Sequence, residues 1–364
     1  MCSGRILRVV GNEKEGASFA VYENGKLVVD LWGGYADKQA LRAWHRDTIS
    51  VVFSSTKAVC AVVAGMLVDR GQLDTEALVT EYWPEFGAHG KSNVTVKMLL
   101  SHQVVGRADA HWPPGTGQGY HAITFGWLVD QLVRRVDPKH RSVGQFVREE
   151  IADPHGIEFH LGLDKTEFHK VARLTLPTML DNIRQLLTWK GIYQLYAFQR
   201  VPNNMLHRTI QNPDWFMNDV GLSMRDPDVL SWEIDSADGV ANARGLAMIF
   251  SLLGQGKLIK NKKILDKLSK PVLEHSVDKV MNLPITMGYG FFLTRSPEGE
   301  YLLGHPCYGG QNVKLDRKRN LAFAYVTNGL QPKMGDTTET FMRLQNAVYK
   351  SIGVKPAEPS GIFT

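Results

Sequence analysis

The residues of this chain that could do chemistry begin with Ser54 and Lys57, which lie three positions apart. On a helix, that spacing places two side chains on the same face. A strand-like run, residues 49–53, leads into Ser54, so the serine is expected where a helix begins. Backbone N–H groups point outward at a helix N-terminus, and the helix dipole favours negative charge there. The pattern therefore indicates a serine that is well placed to carry an oxyanion.

The same residues also suit a purely structural role. Serine is a preferred N-cap, and Lys57 could then lie in solvent. Short motifs also match by chance, and residues 276–279, Ser-Val-Asp-Lys, repeat the pattern. Asn282-Leu283-Pro284 follows that second copy where a buried helix would be needed, so the copy is set aside. For Ser54 and Lys57, catalysis and capping stay equally open on the tetrapeptide alone.

The segment behind Ser54 is predicted to be a buried helix. Residues 59–67 are apolar on nearly every side, which is typical of a helix inside a large protein rather than on its surface. Gly71 supplies the stop signal at its end. A long buried helix would hold the Ser54 and Lys57 side chains in a fixed relation to each other.

Strand patterns occupy both ends of the chain. Residues 17–22 and 26–31 flank Asn24-Gly25, which is the strongest short signal for a β-hairpin. The last third predicts an antiparallel meander and a final amphipathic helix that lies across it. The strands are expected at residues 287–294, 301–304, 311–315 and 321–327, and the helix at residues 337–352.

These elements predict an α/β (α+β) architecture in a single domain, residues 1–364. With 43% hydrophobic residues the chain can bury a large core. We expect an antiparallel sheet flanked by N- and C-terminal helices, formed by about residues 16–60 and 285–352. An all-helical lobe, about residues 61–284, would be inserted into it.

A third candidate side chain is Tyr120, which ends the loop at residues 113–119 and precedes a helical run at residues 123–136. A tyrosine at such a place can present its phenol to a site. Tyrosine also commonly packs one apolar side and leaves its hydroxyl in water. Without a visible partner, the sequence favours ordinary packing.

Composition excludes several classes of function. The net charge of +5 is spread along the chain, and no nucleic-acid motif accompanies it, so no nucleic-acid partner is expected. The twelve histidines form no H-x-H-x-D-H or H-E-x-x-H cluster, so neither a metal nor a cofactor is expected. No apolar run is long enough to span a membrane.

The cysteines and the N-terminus favour an intracellular protein. Cys2, Cys60 and Cys307 are few and widely spaced, which argues against a disulfide framework. The first residues lack the apolar core and cleavage site of a secretory signal. We expect a cytoplasmic location in preference to a mitochondrial one.

Several blocks in order resemble a known family, the serine β-lactamase-like superfamily. The similarity is to the branch of class C β-lactamases and family VIII carboxylesterases, which also includes animal LACTB-type β-lactamase-related proteins. It runs from about Gly16 to Asn328. The blocks beside Ser54 are AVYENGKLVVDLWGG, LLSHQ, PPGTGQGYHAITFGWLVDQL, ADGVANARGLA and GHPCYGGQ.

The resemblance implies a role for each site residue and a β-lactamase/transpeptidase-like fold. Ser54 matches the acylated nucleophile, Lys57 the motif lysine and Tyr120 the tyrosine that serves as base. His305 takes the lysine position of the family's K-T-G segment, and the backbone N–H near Tyr308 would be an oxyanion donor opposite that of Ser54. A buried ammonium at Lys57 would lower the cost of a tyrosinate at Tyr120.

Three departures from the family pattern bear on activity. Ala122 stands where relatives carry an Asn or Ser after the tyrosine, which favours esters over lactams. Cys307 stands where the K-T-G segment has glycine, and it would narrow the site or shift the backbone locally. The connection at residues 106–111 is shorter than in relatives, and it could misplace Tyr120 or open the pocket.

The resulting hypothesis is a serine hydrolase that forms an acyl-enzyme and acts as a carboxylesterase on small acyl esters. A second hypothesis is a catalytically weak scaffold that keeps the fold for binding or for self-assembly as a homo-oligomer. A third is a β-lactamase or peptidase proper. Turnover of esters, assembly state and turnover of a lactam would discriminate among them.

Overall fold

A computed structural model describes residues 14–104, 112–187, 205 and 223–355. The strands of its main sheet are β1 Gly16–Glu23, β2 Lys26–Asp37, β3 Arg42–Ala43, β7 Leu273–Val277, β8 Pro284–Met287, β9 Phe292–Arg295, β10 Tyr301–Pro306, β12 Asn312–Asp316 and β13 Leu321–Thr327. They lie in the order β3-β2-β1-β13-β12-β10-β9-β8-β7, and each neighbouring pair is antiparallel.

Smaller strand groups lie beside this sheet. They comprise β4 Ser50–Val51, β5 Phe159–His160, β6 Val240–Ala241, β11 Tyr308–Gly309 and β14 Gln331–Met334. The first three pair in the order β4-β6-β5, and β11 pairs with β14. The β4 strand leads directly into the helix that starts after Ser54, so this small group supports the entry to that helix.

The helices are numbered in the order in which they occur along the chain. The α-helices are α1 Ser55–Asp69, α2 Val79–Tyr82, α3 Val96–Leu100, α4 Thr124–Val136, α5 Val143–Val147, α6 Asp153–His155, α7 Met179–Leu186, α8 Pro227–Leu230, α9 Ala243–Gly254, α10 Lys262–Leu268 and α11 Glu339–Ser351. Short 3₁₀ turns span Pro84–Gly87, Lys165–Lys170 and Gly335–Thr337, and a π-helical turn spans Arg148–Ala152.

The central strands are buried on both faces because helices cover both. Every residue of β13 is buried, and α9 packs against β13, β1 and β12. On the opposite face Phe19, Phe323 and Tyr325 pack against Phe341 and other apolar residues of α11. Each large apolar side chain buried in this way contributes about 1.5–3 kcal/mol. The sheet is therefore the middle layer of three.

The predicted fold class is confirmed, with differences of detail. The hairpin turns at Asn24-Gly25, and both residues have the positive φ that a tight turn requires. The strand predicted at residues 287–294 is instead the end of β8, a turn with Gly290 at a φ of +85°, and β9. An N-terminal helix that precedes the first strand would fall on residues 1–13, which lie outside the described residues.

The expected division into lobes stays a prediction. The sheet includes β7, which precedes the expected boundary at residue 285, and β8, which crosses it. Within the described ranges, no helix combines the length and apolarity needed to cross a bilayer.

Candidate active site

The first turn of α1 positions Ser54 and Lys57. The α1 side chains are buried from Ser55 to Leu67, so the helix is surrounded by protein, as the sequence predicts. Ser54 occupies the N-cap position, yet its side chain makes no capping hydrogen bond. The hydroxyl is therefore not used to stabilise the helix end, and it is available to the neighbouring side chains.

A strained residue makes the turn from β4 into α1. Phe53 has a φ of +45°, a left-handed conformation that costs a non-glycine residue about 1–3 kcal/mol. Its buried ring meets the ring of Tyr308 edge to face, with ring centroids 5.8 Å apart. Packing thus holds the turn that places Ser54 at the head of the helix.

Lys57 is fully buried and directs its amine at three oxygen atoms. Its Nζ donates to the carbonyl oxygens of Ala122 at 2.7 Å and Ser236 at 2.9 Å, and it lies 3.4 Å from Ser54 Oγ. Burial lowers the pKa of Lys57 to about 7. The amine therefore lies within hydrogen-bonding distance of the serine and changes charge near neutral pH.

The structure brings Tyr120 to the same point. Its hydroxyl lies 2.9 Å from Ser54 Oγ, and Lys57 Nζ lies 5.0 Å from the centre of its ring. The shortened connection before Tyr120, residues 106–111, lies outside the described residues, but the phenol still reaches the serine. The ordinary packing with a wet hydroxyl that the sequence favoured is wrong, because Tyr120 is buried.

Burial favours the neutral form of Tyr120. Burial raises the pKa of Tyr120 well above its ordinary value, and the hydrogen bond with Ser54 lowers it by less. The three partners of Lys57 are Ser54, Ala122 and Ser236, and none of them is the phenol oxygen. The resting residue is therefore a phenol rather than a tyrosinate stabilised by Lys57.

His305 is a second side chain within reach of the Tyr120 hydroxyl. The ring is fully buried at the end of β10, and its Nε2 lies 3.4 Å from the Tyr120 hydroxyl. Its Nδ1 lies 2.8 Å from the carbonyl oxygen of Pro306. Burial, with smaller contributions from the charges of Lys57 and Lys314, lowers the pKa of His305 well below its ordinary value, so the ring is neutral.

The other two residues singled out in the 304–310 segment point in different directions. Tyr308 is partly exposed on β11, and its ring contacts Phe53, next to Ser54. Cys307 is fully buried, with its Sγ 2.8 Å from Ser55 Oγ. The cysteine side chain therefore packs behind the first turn of α1 rather than on an exposed surface of the site.

Sequence reasoning missed the residue that anchors the tyrosine loop, Asp278. Its Oδ1 accepts the amides of Val280 at 2.9 Å and Met281 at 2.8 Å, and its Oδ2 accepts Gln118 Nε2 at 3.3 Å. The amide of Tyr120 also donates to this carboxylate. One buried side chain thus joins the tyrosine loop to the segment before β8.

A signal for Asp278 was present in the sequence. The residue belongs to the discarded Ser-Val-Asp-Lys copy at residues 276–279. An aspartate just before a turn commonly accepts backbone amides two or three residues ahead of it, and Asp278 does so. Its contact with the tyrosine loop has no local pattern, and only the folded chain shows it.

A group of acidic side chains lies next to Ser236, whose carbonyl oxygen accepts a hydrogen bond from Lys57. Asp130, Glu233 and Asp235 each offer an oxygen within 4.8 Å of the others, a spacing that could hold a cation. Arg134 pairs with Asp130 at 2.6 Å. Burial, followed by the neighbouring carboxylates, raises the pKa of Asp235 well above its ordinary value, so a proton can also neutralise this group.

Comparison with known proteins gives a consistent result along the chain. A model of the family described as Beta-lactamase matches residues 8–347. The esterase/beta-lactamase LipL of Mycobacterium tuberculosis is 30% identical over 96% of this chain and 87% of its own length.

Two solved structures share the fold over most of their length. A penicillin-binding protein homolog from Caulobacter crescentus has a TM-score of 0.78 and 28% identity, and the alignment covers 95% of this chain and 96% of that one. A family VIII carboxylesterase has a TM-score of 0.76 and 30% identity, and the alignment covers 96% of this chain and 97% of that one. The expected β-lactamase/transpeptidase-like fold is thereby confirmed.

Proposed function

Because this chain belongs to the Beta-lactamase family of hydrolases, we propose that it is a serine hydrolase in which small carboxylic esters acylate Ser54. The observation that carries the proposal is the 2.9 Å distance between the Tyr120 hydroxyl and Ser54 Oγ. A serine hydroxyl is a weak nucleophile until a neighbouring group takes its proton. Tyr120 lies within the distance that general-base catalysis needs.

The proposed reaction has two stages. Ser54 Oγ attacks the ester carbonyl as its proton leaves, and the alcohol departs once it has received a proton. Water then attacks the acyl-enzyme and releases the acid. The amides of Ser54 and Tyr308 are the proposed donors to the oxyanion of each tetrahedral intermediate, and removal of one such donor commonly lowers kcat by about 10²–10³-fold.

Esters are favoured over lactams because of what residue 122 can offer. Ala122 has no side-chain amide or hydroxyl to hold the amide group of a lactam, and its carbonyl oxygen is already bonded to Lys57. The family VIII carboxylesterase, at 30% identity, supports this choice, whereas LipL is named as both an esterase and a beta-lactamase. The catalytically weak scaffold is less favoured, since Ser54, Lys57 and Tyr120 converge.

The first experiment measures turnover and labelling in parallel. We expect wild-type protein to hydrolyse p-nitrophenyl butyrate faster than nitrocefin, and a fluorophosphonate probe to add one mass increment that maps to Ser54. Ser54→Ala is expected to lower ester turnover by about 10⁴-fold or more, as loss of a nucleophile does in other serine hydrolases. Intact-protein mass spectrometry and initial rates provide the readout.

The second Ser-x-x-Lys copy supplies a matched control. Ser276→Ala removes the same hydroxyl from the same motif on β7, and wild-type turnover and labelling are expected. Equal labelling of wild type and Ser54→Ala would overturn the proposal. Nitrocefin turnover that rivals ester turnover would reassign the substrate class to lactams.

A further inference from the structure

The hydrogen-bond partner of Nδ1 fixes the tautomer of His305. Nδ1 lies 2.8 Å from the Pro306 carbonyl oxygen, and a carbonyl oxygen can only accept a hydrogen bond. The single proton of the neutral ring is therefore on Nδ1. Nε2 then carries a lone pair and faces the Tyr120 hydroxyl at 3.4 Å.

The remaining protons can be placed by the same reasoning. Nε2 has no hydrogen to give, so the phenol proton of Tyr120 is the one that can occupy its contact with His305. The Tyr120 hydroxyl donates to Ser54 Oγ at 2.9 Å, and when it turns this proton to Nε2 its oxygen can accept the hydroxyl proton of Ser54. One chain of donors runs from Ser54 through Tyr120 to His305 and ends at Pro306.

From this geometry we infer that His305 is the terminal proton acceptor of a Ser54–Tyr120–His305 relay. The inference rests on the proposed function and deepens it. In the relay, Tyr120 takes up the serine proton while it passes on its own, so no tyrosinate forms. The contact of 3.4 Å is long at rest, and such contacts commonly shorten when substrate binds.

The protons and bonds balance through one cycle. As the bond between Ser54 Oγ and the acyl carbon forms, the serine proton moves to the Tyr120 oxygen and the phenol proton moves to His305 Nε2. The imidazolium and the oxyanion have opposite charges, so the net charge of the site is unchanged. When the C–O bond of the ester breaks, Tyr120 protonates the departing alkoxide and His305 returns a proton to Tyr120.

A lysine at position 305 would act differently. An ammonium group has donors and no lone pair, so it could stabilise a tyrosinate but could not accept the phenol proton. The variants His305→Lys and His305→Gln therefore separate the two roles. Neither side chain has the proton-accepting nitrogen of a neutral imidazole, but only the lysine places a cation beside Tyr120.

The test compares these two variants with wild type on p-nitrophenyl butyrate. We expect both to lower kcat/KM by about 10²-fold or more, within the range for a lost proton-transfer group, with KM changed less than 3-fold and His305→Lys no better than His305→Gln. Wild-type activity in His305→Lys would overturn the relay. In that case Ser54 would pass its proton to Lys57 or to a tyrosinate.

A second measurement needs no variant, which matters because His305 is buried. Rates of wild-type acylation in mixtures of H₂O and D₂O are expected to curve with the D₂O fraction, because two protons move in one step. A linear dependence would contradict the relay even if the variants fail to fold. Absence of Ser54-dependent turnover in wild type would instead overturn the proposed function, and the relay with it.

Discussion

Ser54 and Lys57 reach the site by a different route from Tyr120. The first two are held by α1, whose geometry places residues three apart on one face, and the helix is buried around them. Tyr120 lies on a loop that has no regular secondary structure between Trp112 and α4. Its position depends on contacts with parts of the chain that are distant in sequence.

The anchors of the loop come from both directions along the chain. The amide of Gly119 donates to the carbonyl oxygen of His102 at 2.9 Å, and the His102 ring lies 5.2 Å from the Tyr120 ring. From the other side, the amide of Lys279 donates to Gln118 at 2.8 Å, and Asp278 receives the donors described above. The helix thus fixes its two residues locally, whereas the loop needs several long-range contacts at once.

The largest effect in this comparison is expected when the Tyr120 hydroxyl, which the loop places beside Ser54, is removed. Tyr120→Phe keeps the packed ring and removes the hydroxyl, so acylation is expected to fall by about 10²–10⁴-fold while KM changes little. Tyr289→Phe, at another buried tyrosine, is the matched control and should stay at the wild-type rate. Burst kinetics with p-nitrophenyl butyrate would measure both.

Labelling of Tyr120→Phe by the fluorophosphonate probe at the wild-type rate would contradict this expectation. Lys57, 3.4 Å from Ser54 Oγ, would then be the group that takes the serine proton. The helix alone would carry the proton transfer, and the loop would serve only to close the site.

The same contrast explains what the sequence could predict. The helix behind Ser54, the hairpin at Asn24-Gly25 and α11 follow from local periodicity and turn residues, and the structure has all three. The placement of Tyr120 was supported only by the resemblance to a family. Local patterns favoured a different outcome, because they contain no information about which distant carboxylate meets a loop.

Burial sets the protonation states of the site residues, and the sequence does not predict these states. Burial determines the direction of the pKa shifts of Lys57, Tyr120 and His305, and burial depends on the whole fold. The sequence predicts that Cys307 narrows the site or shifts the backbone locally, and in the structure its thiol turns towards Ser55. Cys307 lies between β10 and β11, and only the folded chain shows which way its side chain points.

A smaller loss of activity is expected when the tyrosine loop loses a hydrogen-bond partner and Tyr120 keeps its hydroxyl. Asp278→Asn replaces one accepting oxygen by an amide that cannot accept, so at least one of the donors to Asp278 loses its partner. We expect kcat/KM for esters to fall by about 10²-fold, the effect of a displacement near 1 Å in a catalytic group. Asp266→Asn, at an exposed carboxylate paired with Arg317, is the matched control.

A double variant distinguishes a positioning role from general destabilisation. If Asp278 acts through Tyr120, then Asp278→Asn should have little further effect on acylation in the Tyr120→Phe background, because residues that act as a unit are not additive. Full additivity of the two losses would show that Asp278 supports the fold rather than the tyrosine. Thermal unfolding of each variant would report the stability separately.

The smallest expected effect concerns the helix in this comparison. Helix α1 holds the ionisable amine of Lys57 in a buried position. The pKa of Lys57 is about 7 in the folded protein and about 10.4 in an unfolded chain. Between those values the unfolded chain holds a proton that the folded protein lacks, so the contribution of Lys57 to stability rises with pH. Relative to Lys57→Met, the free energy of unfolding of wild type should increase by about 2 kcal/mol from pH 7 to pH 9.

Urea denaturation of both proteins at several pH values measures this difference, and groups that titrate alike in the two proteins cancel. The sign follows from the lowered pKa of a buried amine, whose uncharged form is favoured away from water. A difference that stays constant from pH 7 to pH 9 would mean that Lys57 remains an ammonium across that range. The amine would then donate to Ser54 Oγ at every pH in the range, and it could not take the serine proton in place of Tyr120.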